Sequence, residues 1–376
     1  MALQLANGSR EAGHHVIISA PERNPYIENA EKMGFETLVL QAPESMLAIG
    51  NKIFKISTLE KMRRVFTDVL PYNVKVYRKM RRVKPDLVYF AQERGLLQTG
   101  LGMWLARMKM LLHIQGGLSD RGKWLHRISF FLTKNVICVS KAVRGDIYEY
   151  LPKDKVDAIP ILYNGLPDIA FSPHFSDNNK TMLLFAGNVV PQRGVHTIIE
   201  ALNLLPDNIR STVELNAAGW LLEDEYTEYV KQLISKYNLG NQVHLPGYCQ
   251  NMADLMQAAD IILCPTIHNG AITMNGKTQR LLCKEGFGLT ALEAMRIEKP
   301  VIASNVYGLA EVVADQKTGY LIPCDRPKDM AEKLEMLITN PNLRQQFGRA
   351  GRERYLRKFT QEKMIRDFVQ HLDEIA

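Results

Sequence analysis

The chain has 376 residues, 46% apolar and 23% charged: too long for one compact core, about right for two α/β domains, and ordinary in composition for a globular protein. It carries a formal net charge of +7, no run near the roughly 18 apolar residues of a membrane span, and no basic flank and apolar core of a secretory signal at its start. Its cysteines (Cys138, Cys249, Cys264, Cys283 and Cys324) are scattered with no CxxC pair, which argues against a zinc site or disulfide framework and for reduced thiols in a cytoplasmic protein. Along the chain, short β-branched runs alternate with helical stretches, the pattern of parallel α/β units. In the first half the predicted strands are 15–20, 36–40, 86–91, 110–114 and 135–140, with the longest helical stretch around 58–82. Residues 172–180 are polar and read as a linker. The alternation then restarts at 181–187, 212–219, 242–247, 260–265, 299–304 and 319–323, followed by a charged helical tail. This predicts two Rossmann-like domains, 1–175 and 176–376, with ligands bound beyond the carboxyl ends of the strands, in the cleft between them.

The charge is uneven. Residues 1–180 carry 26 Lys and Arg against 17 Asp and Glu, whereas residues 181–376 carry 21 against 23. The excess is densest over 52–84, where Lys75, Arg78, Lys79, Arg81, Arg82 and Lys84 follow Lys61, Arg63 and Arg64, opposed only by Glu60 and Asp68. Such a stretch fits an anionic membrane surface or another phosphate-rich partner, and equally a solvated helix with no partner. No nucleic-acid-binding motif accompanies it, so a nucleic-acid partner is not expected.

The segment KEGFGLTALEAM (284–295) carries the chemistry. Glu285 precedes a glycine-flanked turn, Gly286-Phe287-Gly288, that opens a helix. Glycines there let backbone N–H groups approach a ligand, and a helix N-terminus favours a diphosphate. Glu285 is placed to accept hydrogen bonds from sugar hydroxyls. Glu293, about two turns further on, returns to nearly the same face and can reach a ribose.

With these blocks in order, the sequence resembles retaining glycosyltransferase family 4, a GT-B family also described as glycosyl transferases group 1. The resemblance runs through GNVVPQRGVHTIIEAL (187–202), AADIILCPT (258–266), EGFGLTALEAM (285–295), PVIASNVYGLAEVV (300–313) and TGYLIP (318–323), and more weakly through EAGHHVIISAP (11–21), KPDLVY (84–89), HIQGG (113–117) and ICVSKAVR (137–144). It implies transfer of a sugar from a nucleotide-sugar donor, a UDP-sugar first and a GDP-sugar next, to a saccharide or lipid-linked acceptor in envelope or extracellular polysaccharide or glycolipid synthesis. The location implied is cytoplasmic, at the inner face of the membrane if the basic stretch docks there. Catalytic roles fall on Glu285, His113 and Arg193. Donor-binding positions are Gly187, Asn188, Arg193, Gly247, Gly286, Phe287, Gly288, Leu289 and Glu293. No metal and no cofactor are implied, since the nucleotide-sugar is a substrate. The leaving diphosphate is then neutralised by Arg193 and helix dipoles.

Three departures stand out. Asn188 occupies a position where the family carries an arginine, which leaves Lys277, Arg280 or Lys284 to substitute, or makes the chain a non-catalytic binding subunit. The connection 267–284 is unusually long and contains the turn signals Asn275-Gly276 and Asn269-Gly270, predicting a hairpin or flap by the donor site, or a surface loop with no role. Finally, the family's first strand and glycine-rich loop have no counterpart before MALQLANGSREAGHHV. Loss of a central strand would leave its neighbours unpaired, so the sequence reads as truncated at its start or as folding into a rearranged sheet.

Overall fold

The computed structural model describes residues 1–47, 57–120, 122–171 and 180–375. Nearly all of the expected linker, and the Lys52 end of the basic stretch, lie outside these. The chain divides into two compact units, Met1–Val139 with Arg144–Leu162 and Glu362–Ala376, and Ser140–Val143 with Tyr163–Gln361.

The first unit holds β1 (Ile17–Ala20), β2 (Glu36–Val39), β3 (Leu87–Phe90), β4 (Lys109–Ile114) and β5 (Asn135–Cys138), each within a stretch read from the sequence. They form two separate parallel sheets, β1-β2 and β3-β4-β5, in place of the single sheet expected of a Rossmann-like domain or of a rearrangement that closes it. β4 is buried along almost its whole length, which is why it reads as the continuous apolar run of a covered parallel strand.

The division differs from the boundary at 175/176 in two respects: the chain leaves the first unit after Leu162, and the last helix, Gln361–Ile375, returns to it. The reason is apolar spacing. Met364 and Phe368 lie one turn apart and join Leu5, Leu111, Ile137 and Leu162 in one buried cluster, with Ile365 packed against it. Gly8, in the N-terminal helix Ala2–Glu11, makes this contact close: a Cβ there would lie 2.1 Å from Ile365 Cγ2.

The second unit is one six-stranded parallel sheet built from β6 (Thr181–Ala186), β7 (Val213–Ala218), β8 (Val243–Gly247), β9 (Ile261–Cys264), β12 (Val301–Ser304) and β13 (Gly319–Ile322). Its order is β13-β12-β9-β6-β7-β8, the doubly wound order whose direction reverses between the first and fourth strands. Leu183, Phe185, Ile198, Leu215, Val230, Leu263, Ile302 and Leu334 form its core. Between β9 and the next helix the chain inserts an antiparallel hairpin, β10 (His268–Met274) and β11 (Lys277–Leu282). Asn275 and Gly276 both have positive φ, 48° and 71°, the requirement of the tight hairpin turn that Asn-Gly favours. Among the described residues no helix is long and apolar enough to cross a membrane.

Candidate functional site

The strand order puts a crevice between the ends of β6 and β9, and three chain segments converge on it. The first leaves β6 through Gly187 and the exposed Asn188, then turns at Pro191–Arg193 into the helix Val195–Leu204. Gly194 lets this turn seat on β9: its φ is +75°, and a Cβ would lie 2.2 Å from the Pro265 carbonyl oxygen. The Ile267 N–H donates to the Gln192 carbonyl at 2.9 Å and fastens the same contact.

The second segment is the glycine turn. The Gly308 N–H donates to the Glu285 carbonyl at 3.1 Å. Gly288, at φ +94°, opens the helix Leu289–Arg296, whose first turn has no side-chain cap. Its leading N–H groups are thus without helical partners and available to an anion. Thr290 Oγ1 donates to the Ala186 carbonyl at 3.3 Å, which fixes the helix start to the end of β6. The Phe287 side chain is buried, with ring centroids 5.7 Å from Tyr163 and 5.6 Å from Phe359. It anchors the turn and leaves only its backbone for a ligand, while Leu289 is exposed.

The third segment comprises the ends of the neighbouring strands. The Gly187 N–H donates to the Ala218 carbonyl and the Gly219 N–H to the Gly247 carbonyl, each at 2.9 Å. The loops after β6, β7 and β8 therefore form one hydrogen-bonded rim.

At the crevice Arg193 Nη1 and Glu285 Oε2 form an ion pair. Sequence reasoning assigned these side chains to two parts of one ligand; in the structure each is the other's partner. Burial works against the Arg193 charge, yet the Glu285 carboxylate outweighs it and holds the guanidinium above its usual range. Glu293 sits on the same helix, its carboxyl raised by burial against the opposing pull of Arg296. The Cys264 thiol, at the end of β9, is pushed up to about 12 by burial and feels the charges of Glu285, Arg193 and Glu293 together. Arg193 and Glu285 are thus in contact, and Glu293 lies on the helix that the glycine turn opens.

The inserted hairpin is partly a correction to the sequence reading. It is no free flap: Ile272, Met274 and Leu281 are buried in the core of the unit, and Asn275 Nδ2 donates to Glu225 Oε1 at 3.2 Å on the helix Asp224–Lys236. Lys277 lies at the hairpin tip, paired with Met274 beside the Asn275-Gly276 turn. Arg280 is exposed, with Nη2 3.5 Å from Asn269 Oδ1.

His113 belongs to the first unit, near the end of β4, and is 1% exposed. Burial lowers its pKa to about 3, so the ring is neutral. Tyr89 Oη lies 2.7 Å from its Nδ1, whereas Nε2 has no hydrogen-bond partner. A hydroxyl donating to Nδ1 leaves the proton on Nε2.

The sequence reading passed over Trp220 and Tyr248, which follow Gly219 and Gly247 at the ends of β7 and β8. Their rings stack at 4.6 Å and 18°, both more than half exposed. The available signal was the repeated glycine–aromatic pair at adjacent strand ends.

Two family models together cover nearly the whole chain: Glycosyltransferase Family 4 over residues 1–166 and Glycosyl transferases group 1 over residues 168–354. The chain is 27% identical over 260 residues to an uncharacterised glycosyltransferase of Methanocaldococcus jannaschii, covering 69% of this chain and 64% of that protein. It is 25% identical over 252 residues to the capsular polysaccharide biosynthesis glycosyltransferase CapM of Staphylococcus aureus, covering 63% and 61%. The matches thus span a little under two thirds of these relatives. Among solved structures, the UDP-glucose complex of HepE from Anabaena has the same fold, with a TM-score of 0.73 at 17% identity over 99% of this chain and 95% of that one.

Proposed function

Because the chain belongs to the group 1 and family 4 glycosyltransferases and shares their GT-B fold, we propose that it transfers a sugar, with retention and without a metal, from a nucleotide-sugar donor held by its second unit. The observation that carries this reading is the Arg193–Glu285 pair beside an uncapped helix start. A nucleoside diphosphate entering the crevice takes Arg193 and the first-turn N–H groups of the helix Leu289–Arg296. That exchange frees Glu285 to accept hydrogen bonds from the sugar hydroxyls, and Glu293 to reach the ribose. As the glycosidic bond breaks, negative charge grows on the leaving diphosphate. Fixed donors already aimed there stabilise the transition state more than the ground state. The acceptor attacks from the face the diphosphate leaves, and a phosphate oxygen takes its proton.

A UDP-sugar is the first donor to test, supported by the UDP and UDP-glucose held by the fold relative HepE. A saccharide or lipid-linked acceptor in polysaccharide or glycolipid synthesis, on the cytoplasmic side, is supported by the capsular relative. The uncharged, exposed Asn188 favours a second reading, a donor-binding subunit that does not turn over. Titration calorimetry with UDP, GDP and uridine tests the site. UDP or GDP binding well above the nucleoside supports it, and equal binding sinks it. Release of UDP from UDP-glucose in the presence of acceptor extracts then separates enzyme from binding subunit.

A further inference from the structure

We propose that the outward face of three helices in the first unit, Leu70–Val83, Glu93–Leu105 and Lys123–Leu132, docks on an anionic lipid bilayer. The sequence pointed to charge over 52–84; the structure adds an apolar component on two later helices. The helix Lys123–Leu132 is amphipathic in the reverse sense. Its polar His126 and Ser129 are buried, along with Phe130, whereas Trp124, Ile128 and Phe131 point outward at 61%, 39% and 71% exposure. Those three recur at i, i+4 and i+7, so they form one stripe. The inward His126 is satisfied: Nδ1 lies 2.8 Å from both Glu93 carboxylate oxygens and Nε2 lies 3.0 Å from the Ser119 carbonyl. The apolar face is therefore not exposed for want of another way to bury the helix.

The stripe continues onto the neighbouring helix. Trp104 and Phe131 have ring centroids 5.9 Å apart, and Trp104 and Leu105 are 45% and 54% exposed. Gly102 then brings the helix Leu70–Val83 against this one, since a Cβ at Gly102 would lie 2.4 Å from the Asn73 carbonyl oxygen and 3.1 Å from the Tyr77 nitrogen. That third helix presents Val74 and Tyr77 outward, followed by Arg78, Arg81 and Arg82. Arg127 lies within the aromatic stripe and Arg107 just past Leu105, both exposed.

Charge selects the occupant. Among the described residues no carboxylate pairs with Arg78, Arg81, Arg82, Arg107 or Arg127. Exposed aromatic and aliphatic side chains interleaved with unpaired arginines match the bilayer boundary, where rings sit at the headgroup level and cations meet anionic phosphates. A second copy seated on the same face would set these arginines against their own counterparts. A nucleic acid would meet the phosphate-binding cations but leave Leu105 and Ile128 without a role.

The inference stands apart from donor binding, which UDP titration reads independently. The test is co-sedimentation of the whole chain with vesicles of phosphatidylcholine alone, and with about one third phosphatidylglycerol added, at low and high salt. The protein is expected to bind the anionic vesicles, to release at high salt, and to show a blue shift of tryptophan emission that Trp104→Phe with Trp124→Phe removes. Trp124→Ser with Phe131→Ser, both exposed and so expected to keep the melting temperature, should lower partitioning at least tenfold. Arg78→Glu, Arg81→Glu and Arg82→Glu together should lower it roughly a hundredfold. Equal binding to neutral vesicles, or unchanged binding by either variant, overturns the proposal. So does a dimer in solution that Phe131→Ser converts to monomer, or tight salt-sensitive binding to RNA with none to vesicles.

Discussion

Arg193 and Glu285, 92 positions apart in sequence, pair with one another at the end of the central strands of the second unit. In the proposed reaction the pair lets a carboxylate stand in an anion site: its cation is shared until a diphosphate competes for it, and its carboxylate is then freed for the sugar. This reciprocity separates the roles of the two residues experimentally.

Replacing Arg193 by Ala should weaken UDP by about ten- to a hundredfold, the worth of a lost charge-assisted hydrogen bond, and leave uridine nearly unchanged. Glu285→Gln should behave in the opposite way for binding. With no carboxylate competing for Arg193, UDP affinity should hold or rise while transfer falls steeply. Calorimetry and a UDP-release assay on both variants check this, and parallel loss of UDP affinity in the two would refute the exchange.

Gly194→Ala should be costly although it adds a single methyl. The residue holds φ +75° and the new Cβ would meet the Pro265 carbonyl oxygen at 2.2 Å. Strain of this kind costs of order 1–3 kcal/mol, and relieving it shifts the turn that carries Arg193. Chemical denaturation and UDP titration should both register the change, whereas Gly240→Ala, with open space around its Cβ and no positive φ, should alter UDP affinity little.

The inserted hairpin should be part of the folded core and not a decoration. Leu281→Ala removes a buried side chain and should cost about 2–5 kcal/mol. Thr278→Ala on the exposed face should stay within about 0.5 kcal/mol. Equal small effects at the two positions would return the hairpin to the status of a surface loop.

His113 predicts a pH dependence with a definite sign. Its folded pKa of about 3 lies below the 6.5 of an exposed imidazole, so between these values the unfolded chain binds a proton that the folded one refuses. Stability must therefore fall as pH drops from about 6.5 toward about 3. His113→Gln should flatten that part of the denaturation profile. An unchanged profile would show that burial of this ring does not govern acid stability.

The strands of both units were legible because covered parallel strands must be apolar, and Asn275-Gly276 announced its hairpin because only a few residues accept positive φ in succession. The candidate roles of Glu285, Glu293 and Arg193 were legible from the Glu-to-Glu spacing and from the family blocks. That Arg193 and Glu285 hold each other was not, since ion pairing between distant segments leaves no periodic trace. Nor was the allegiance of the last helix: Met364 and Phe368 look the same whichever core they cover. Trp124, Ile128 and Phe131 were missed for a related reason. Apolar residues at helical spacing ordinarily face inward, and only the burial of His126 and Ser129 shows that this helix is turned the other way.

The return of the final helix to the first unit bears on how the molecule is made. Leu5 and Phe368 share one buried cluster, so during synthesis the N-terminal core waits, incomplete, while the whole second unit leaves the ribosome. A chain halted after Lys358 carries every residue of the proposed donor site and still exposes the apolar seat of a missing helix, a surface for chaperones and for aggregation. Nor does one proteolytic cut release both units whole, because the polypeptide passes out of the first and back again.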